Sequence, residues 1–230
     1  INAEYCFKVI ANLMEGATSS SYKACLVTKM QTPPSWINAD YATVTEENRI
    51  SLSFSIDPSS EIDTFALERK TGYSGSFQQI AQITGTDIKS VTYADNAAKT
   101  DILNFYRLSA VICKNNKVRS NNASNIVLGS HNTGNEIILQ WNKYYEWLGN
   151  VSSYRVFMDT GRGFAEKASN GPGDTLFAVS IPDIMYSITQ GKVCFYISAS
   201  ETGNPYGITG ESVSDTPCIS IEETVTVPNI

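Results

Sequence analysis

The cysteines are the residues of this sequence whose types and spacing most directly suggest chemistry. Cys6 and Cys194 each stand just before an aromatic residue of a strand-like segment. Cys25 and Cys218 follow them 19 and 24 residues later, each in the next strand-like segment. The equal placement of the two pairs indicates that each pair serves one structural purpose.

The middle of the chain replaces both members of such a pair together, with Phe105 and Leu128 at the equivalent positions. Joint replacement indicates contact across neighbouring strands, so we expect the disulfides Cys6–Cys25 and Cys194–Cys218. Such bonds are typical of an oxidising, extracytoplasmic setting. The alternative is two pairs of reduced, half-buried thiols.

The fifth cysteine, Cys113, has no partner in this scheme, and we expect a free thiol without function beside the turn 114–117. No Cys-x-x-Cys motif and no histidine accompanies the cysteines, so metal binding is the weaker interpretation. Asp57, Glu61 and Asp63 lack the alternating acidic spacing of a strong calcium loop, and we expect an ordinary solvated loop there.

Catalytic groups are scarce. The single histidine, His131, falls in the segment 129–134, which we interpret as a linker, so we expect a solvated polar side chain. No nucleotide-binding, metalloprotease or serine-hydrolase motif is present. We therefore expect a protein that is not an enzyme and holds no cofactor. The 23 acidic residues leave a sandwich-based hydrolase open as an alternative, which requires two carboxylates in a deep pocket.

The best candidate for ligand binding is the aromatic loop Tyr144–Trp147. Exposed rings of Tyr144, Tyr145 and Trp147 would stack on sugar rings as a ligand platform. The favoured interpretation is that Tyr145 and Trp147 fold under the sandwich and close its end, because large aromatic side chains mostly serve packing. Trp36 is expected to be an interdomain plug.

Three segments of the chain repeat one pattern, in which the first, third and fifth residues are apolar and so share one face of a strand. Each is followed by a polar loop and a second strand that begins with a serine. The repeated segments are Phe7–Ala11, Tyr106–Ala110 and Phe195–Ala199, and the serines are Ser21, Ser124 and Ser214. A period of roughly 90–100 residues with many short strands is typical of tandem β-sandwiches.

Upstream strands repeat as well, with apolar and polar residues alternating in 49–56 and 136–141. No segment sustains a helical period, so we expect an all-β protein with almost no helix. The predicted units are the final hairpin of a preceding repeat (1–34), a complete sandwich (35–129), and a second sandwich with an acidic exit strand (130–230). We also expect the chain to be an internal fragment of a longer protein.

Composition narrows the functional class. The chain has 230 residues, a formal net charge of −6 and only 17% charged residues. An acidic balance without a basic run argues against nucleic acid as a partner. No apolar stretch approaches the roughly 18 residues of a membrane-spanning helix.

The chain resembles tandem fibronectin type III domains, on its strand order and on the aromatics of two core strands, Phe54 and Trp141, Phe65 and Tyr154. It further resembles repeats upstream of the gliding-motility-associated C-terminal domain of Bacteroidetes surface proteins, through the loop 201–208 and the strand Val225–Asn229. The middle repeat departs from that pattern because it lacks both cysteines. Asp174-Thr175-Leu176 resembles the short O-glycosylation motif of Bacteroidetes, Asp-Ser/Thr-aliphatic, with Thr175 as the acceptor. The alternative is a plain strand-edge residue.

The expected function is a non-enzymatic extracellular spacer and protein-interaction module of a secreted or cell-surface bacterial protein. Its partners would be the flanking domains of the parent chain and proteins or glycans at the cell surface. The alternative is a carbohydrate-binding or adhesin module that uses the aromatic loop. The apolar face of the 1–34 hairpin (Phe7, Val9, Ala11) is expected to pack on the neighbouring sandwich or on another chain, because an isolated hairpin is only marginally stable.

Overall fold

The computed structural model of the protein describes residues 3–28, 31–112 and 117–221. In these ranges the regular structure is almost entirely antiparallel β-sheet, and the helical residues are one turn of α-helix, α1 (Ile181–Ile184), and the 3-10 turn Met185–Ser187. This confirms the predicted all-β class of tandem, fibronectin type III-like sandwiches. Within the described ranges, no helix is both long enough and apolar enough to cross a bilayer.

The chain begins with a long hairpin, and each of its two arms contains two strands. The first arm has β1 (Ala3–Phe7) and β2 (Ile10–Asn12), and the second has β3 (Thr18–Ser20) and β4 (Ala24–Thr28). Strand β1 pairs with β4, and β2 pairs with β3. Tyr5, Phe7 and Val9 are 52%, 60% and 71% exposed. The expectation that this apolar face packs on the neighbouring sandwich is therefore wrong, because these side chains lie in solvent.

The first sandwich follows. Its strands are β5 (Ile37–Glu46), β6 (Arg49–Ile56), β7 (Thr64–Thr71), β8 (Gln78–Thr84), β9 (Ser90–Asp95), β10 (Asn104–Val111), β11 (Lys117–Arg119) and β12 (Ala123–Ser124). One sheet has the order β5-β6-β9 and the facing sheet β11-β10-β7-β8, with β12 paired to β10. Alternate side chains of β6, including Leu52 and Phe54, point inward to meet Phe65 and Tyr106, and all four are buried.

The second sandwich repeats this topology. Its strands are β13 (Leu128–Asn132), β14 (Glu136–Trp141), β15 (Asn150–Asp159), β16 (Ala165–Asn170), β17 (Leu176–Ser180), β18 (Lys192–Thr202), β19 (Glu211–Val213) and β20 (Cys218–Ser220). The sheets are β13-β14-β17 and β16-β15-β18-β19, with β20 paired to β18. Trp141, Tyr154 and Phe195 fill the core at the places of Phe54, Phe65 and Tyr106.

The segment 129–134, which we expected to be a linker, is mostly strand. Gly129–Asn132 lie in β13 and pair with β14 as the first strand of the second sandwich. His131 is therefore an exposed side chain on a strand rather than on a flexible joint. The polar composition misled the prediction because this strand lies at the edge of its sheet, where outward side chains are solvated.

The same serine contact recurs in the hairpin and in both sandwiches. In each, the serine hydroxyl accepts the N–H of a residue on the facing strand and donates to the carbonyl of the residue that follows the serine. The serine's own N–H donates to the carbonyl of that facing residue at 2.9 Å. The pairs are Ser21 with Val9, Ser120 with Leu108 and Ser214 with Ile197.

The repeat therefore aligns on Ser120, and the predicted start of the second strand at Ser124 is wrong. In register, Phe105 faces Ser124 where Cys194 faces Cys218. Leu128, which we matched to the second cysteine, already belongs to the next sandwich.

Both expected disulfides are present, Cys6–Cys25 and Cys194–Cys218, each with a Cα–Cα distance of 4.0 Å. Each joins directly facing residues of antiparallel strands. They fit an oxidising environment. Cys113 and the exit strand 222–228 lie outside the described residues.

Candidate functional site at the junction of the two sandwiches

The aromatic loop of the second sandwich is turned inward against the first sandwich. Tyr144 and Trp147 stack with ring centroids 3.8 Å apart, and their residues are only 6% and 8% exposed. The Tyr144 hydroxyl accepts the N–H of Ala42 at 3.0 Å, and the Trp147 indole N–H donates to the carbonyl of Asp40 at 2.7 Å. Tyr144 and Trp147 are therefore not an exposed stacking surface for a ligand, because both rings are buried in an interdomain contact.

Tyr145 completes the loop's contact with the first sandwich. Its ring lies 6.0 Å from that of Tyr73 and 6.1 Å from that of Phe105, both in the first sandwich. Its backbone N–H donates to the Ser124 hydroxyl at 3.0 Å. The three aromatic side chains thus pack at the junction between the sandwiches, whereas we expected Tyr145 and Trp147 to close the end of a sandwich.

Backbone groups reinforce this contact at the end of the first sandwich. The N–H of Glu146 donates to the carbonyl of Asn122 at 2.8 Å, and the Asn121 amide donates back to the carbonyl of Glu146 at 2.6 Å. The connecting residues are held as well, since the Asn142 side chain accepts the N–H of Val127 at 2.7 Å and donates to the carbonyl of Asn125. The short connection between the sandwiches is therefore bonded along its length.

Strand β19 of the second sandwich contacts β5, the first strand of the first sandwich. Ser212 donates to the carbonyl of Ala42 at 2.6 Å, and the N–H of Val213 donates to the Thr43 hydroxyl at 2.8 Å. These contacts lay β19 along β5. At the junction, the edge strand β19 of the second sandwich therefore lies against β5 of the first sandwich.

The loop between β18 and β19 adds a ring contact. Trp36 and Tyr206 stack at 4.1 Å with an interplanar angle of 15°. Trp36 therefore lies between the sandwiches, as the sequence predicted. Close to this stack, the side-chain amide of Asn204 donates to the side-chain oxygen Oδ1 of Asn38 at 3.2 Å.

A buried carboxylate organises the loops that reach across. Glu201 is 3% exposed and accepts N–H groups from Gly149 at 2.9 Å, Asn204 at 2.8 Å and Gly210 at 3.2 Å. A buried carboxylate requires such donors to offset the loss of water. Glu201 therefore ties the aromatic loop and the β18–β19 loop into one unit.

Gly210 permits the close approach of the two sandwiches. A Cβ atom at this position would overlap the carbonyl oxygen of Asp40 and would lie 2.5 Å from the indole nitrogen of Trp147. Glycine is required here because the two backbones and the indole share one space. Asp40 itself is held by its neighbours, since its carboxylate accepts from Ser53 at 2.8 Å and Ser55 at 2.9 Å.

Burial raises the pKa of Tyr144, so its hydroxyl stays neutral while it accepts the N–H of Ala42. Burial also raises the pKa of Tyr154, whose hydroxyl accepts the N–H of Tyr144 at 2.8 Å. The hydrogen bonds of Tyr144 and Tyr154 at the junction are therefore made by neutral hydroxyls.

The remaining predicted site residues lie away from this junction. Asp57 accepts from the backbone and side chain of both Ser35 and Ser59, which ties the segment before the first sandwich to its loop. Glu61 accepts the N–H and hydroxyl of Thr32 at 2.9 Å. We expected an ordinary solvated loop here. Glu61 is exposed, but the expectation is wrong for Asp57, which is only 7% exposed because it accepts these hydrogen bonds.

Thr175 stands just before β17, partly exposed. Its carbonyl accepts the N–H of Trp141 at 3.1 Å. The preceding Asp174 carboxylate accepts the N–H of Gly171 at 2.9 Å and so closes the adjoining turn. The threonine side chain thus stands at a strand edge next to a turn, which is the setting that either interpretation of the motif requires.

The sequence analysis missed Asp40, Glu201 and Gly210. Each lies in a segment that looks like an ordinary strand or turn, and each acquires its role from a residue more than a hundred positions away or from a loop that folds back. The one feature of the sequence that could have indicated the close approach was Gly210, directly before β19. A glycine alone does not identify the residues that lie against it.

Comparison with known proteins gives similarity of fold. No protein-family model and no curated protein matches the chain. Among solved structures, the FN1–FN3 domains of chicken CNTN1 align with 12% identity over 96% of this chain and 78% of that one, with a TM-score of 0.28. A two-domain fibronectin type III segment of chicken tenascin aligns with 15% identity over 80% of this chain and 99% of that one, with a TM-score of 0.27. The strand order of each sandwich carries the fibronectin type III-like description of the fold.

Proposed function

We propose that this protein is a non-enzymatic spacer and protein-interaction module whose two sandwiches act as one stiff body. The single observation that carries the proposal is the bonded junction, in which the Trp147 indole and the Tyr144 hydroxyl are buried against the Asp40–Ala42 backbone. Domain interfaces within a chain permit relative motion unless they are large and well packed. Here polar and apolar contacts from three separate segments of the second sandwich converge on one strand of the first.

The mechanism is geometric. A stiff pair of sandwiches holds whatever flanks it at a defined distance and orientation, and it presents loops and sheet faces to partners. The disulfide Cys194–Cys218 strengthens the far end of the second sandwich. A flexible tandem would offer the same surfaces without a defined separation.

Small-angle X-ray scattering of the full chain tests this function. The measured profile should fit one arrangement of the two sandwiches. The matched control is Gly173→Ala, which leaves the junction intact because the added Cβ would contact nothing within 4 Å. This variant should give the same profile. A profile that requires an ensemble of orientations would overturn the proposal.

The proposed setting is the outer surface or exterior of a bacterial cell. The paired cysteines support an oxidising compartment, and the resemblance to repeats of Bacteroidetes surface proteins associated with gliding motility supports a surface-anchored or secreted parent. Protease treatment of intact cells tests it. Cleavage of the parent protein on unbroken cells supports the setting, and complete protection until the cells are broken contradicts it.

We further propose the domain division 1–34, 35–129 and 130–230 for the parent chain, with the sandwich boundary adjusted to place β13 in the second sandwich. The hairpin supports the first unit, because Ser21 repeats the contact that Ser120 and Ser214 make in the complete sandwiches. Phe7 and Val9 hold the positions of Phe195 and Ile197, which are fully buried under a facing sheet. The hairpin is then the last strand pair of a preceding sandwich.

Hydroxyl-radical footprinting distinguishes this origin of the hairpin. In the parent protein Phe7 should be labelled several-fold less than in the chain studied alone, because a facing sheet would cover it. Equal labelling in both would reject the assignment.

Thr175 is proposed as an O-glycan acceptor on the weaker ground of its three-residue motif and its partly exposed position. Intact mass of the protein from its native host tests this. Added hexose mass that disappears with Thr175→Ala supports it, and a mass equal to that of the bare polypeptide rejects it.

A further inference from the structure

A cleft opens beside the junction, and both sandwiches line it. Its volume is about 790 Å³. The first sandwich contributes the β5–β6 turn (44–48) and the loop 99–101, and the second contributes Phe164, Tyr196 and the segment 213–217. Because hydrogen bonds across the junction hold both walls, the cleft is formed before any partner arrives.

One wall of the cleft is aromatic. Tyr196 stacks on Phe157 at 4.5 Å with an interplanar angle of 11°, and Phe164 meets the Tyr196 ring edge-on at 4.8 Å. Phe164 is 43% exposed. A large exposed ring at the mouth of a preformed cleft is a stacking surface for an incoming group.

The corresponding strand positions of the first sandwich hold a different set of side chains. There, Arg107 faces Glu68 in register and donates to its carboxylate at 2.8 Å, and the guanidinium carbon lies 3.9 Å from the centroid of Phe77. Phe77 follows the same glycine-containing turn as Phe164 does in the second sandwich. This site therefore joins a guanidinium, a carboxylate and a phenylalanine ring.

The second sandwich keeps the ring and replaces the ion pair. Tyr196 and Phe157 face each other at the positions of Arg107 and Glu68. The nearby Arg155 lies 5.5 Å from the Phe157 ring and is paired with Glu211 at 2.7 Å, and within the described part of the chain no cation lies over Phe164.

Both sandwiches supply carboxylates to the cleft. Glu46 is already paired with Arg49 at 3.2 Å. The cleft-lining charged residues are Glu46, Glu47, Asp101 and Asp215, against the one cation Lys99. Burial, and to a smaller extent the charge of Asp101, raises the pKa of Asp215 against the opposing effect of the Leu128 N–H, so two carboxylates from different sandwiches repel each other here.

We propose that this cleft binds an arginine-bearing segment of a partner protein, with the guanidinium stacked on the exposed ring of Phe164 and paired with carboxylates of Glu47, Asp101 and Asp215. Arginine fits better than lysine, because its planar guanidinium both stacks on a ring and pairs with carboxylates. The inference rests on the proposed function as an interaction module and gives the chemistry of its partner.

Isothermal titration of the full chain with the peptide acetyl-Arg-Gly-Arg-amide tests the inference. The matched probe is the same peptide with citrulline in place of arginine, which keeps the shape and removes the charge. We expect the arginine peptide to bind at least about tenfold more tightly, and to weaken as salt is raised through about 0.1 M. Equal affinity for the two peptides, or no heat from either, would overturn the inference.

Variants locate the binding. Phe164→Ala should weaken it by about threefold to thirtyfold, the range of a cation–π contact, and the double variant Glu47→Gln with Asp101→Asn should also weaken it. Matched substitutions elsewhere, Tyr186→Ala at a side chain 93% exposed and Asp183→Asn on α1, should leave the affinity unchanged. Binding that the cleft variants leave intact, or that only a glycan produces, would contradict the proposal. Failed peptide binding with a rigid scattering profile rejects this inference alone, whereas an ensemble profile rejects the spacer function.

Discussion

The indole N–H of Trp147 reaches across two domains to the carbonyl of Asp40, 107 residues away in the sequence, at 2.7 Å. Trp147 is thereby removed from solvent and from ligand binding. The contact makes the orientation of the second sandwich part of the fold of the chain.

Removing the indole of Trp147 should loosen the junction. Trp147→Phe leaves the buried Asp40 carbonyl without its donor, at a cost of about 1–3 kcal/mol, and the smaller ring adds the loss of buried packing against Tyr144. In thermal unfolding of Trp147→Phe, one sandwich should begin to unfold before the other. Trp36→Phe, at the partly exposed stack with Tyr206, should cost less. A variant at Trp147 as cooperative and stable as the parent would show that the contact does not couple the domains.

Gly210→Ala should separate the sandwiches more strongly. The new methyl group would overlap the Asp40 carbonyl, which is backbone and cannot rotate away, so the β18–β19 loop must shift. We expect a larger radius of gyration and increased hydrogen exchange at Ala42 and Val213. The control Gly173→Ala meets no atom within 4 Å and should change neither quantity. An unchanged exchange pattern in Gly210→Ala would argue against close packing here.

The disulfide of the second sandwich should contribute stability through the unfolded chain. Cys194 and Cys218 close a loop with a sequence separation of 24, and the chain-entropy model gives about 3 kcal/mol for its removal. Urea unfolding of the double variant Cys194→Ala, Cys218→Ala measures it. Because the junction couples the two sandwiches, the urea midpoint of the whole chain should fall. No change in the second sandwich would mean that the strands hold the pair in place without the bond.

Asp57 should give the first sandwich an acid-sensitive contribution. Hydrogen bonds from Ser35, and then from Ser59, hold the pKa of Asp57 well below its ordinary value of 3.8. Because the folded-state pKa is the lower one, the ionised carboxylate stabilises the fold fully above the unfolded value, and this stability is lost as pH falls through the folded value. Unfolding free energies measured from pH 7 downward should therefore fall less steeply in Asp57→Asn. Identical slopes for parent and variant would contradict this assignment.

Much of each sandwich follows from short-range pattern. The alternation of apolar and polar residues through Leu52 and Phe54 determines the inward face of β6 without reference to any distant residue. The equal placement of the two cysteine pairs was enough to predict both disulfides. The register of the middle repeat did not follow, because Ser120 and Ser124 both precede asparagine-rich residues and only the hydrogen bond to Leu108 distinguishes them.

The junction was beyond sequence reasoning for a different reason. The sequence singled out the aromatic loop Tyr144–Trp147, and closure of a sandwich end was the favoured interpretation. The partner of the loop, the backbone of Asp40 and Ala42, has no side-chain signature. The role of Glu201 also depends on burial, and a glutamate at a strand end usually lies in solvent.

The central claim is that the two sandwiches form one rigid body, and residual dipolar couplings of backbone amides in the full chain test it most directly. The couplings of the first and second sandwiches should fit a single alignment tensor, with the relative orientation that the Trp147–Asp40 contact requires. Two tensors of different magnitude would show that the sandwiches reorient independently, and the spacer function argued from the junction would fail.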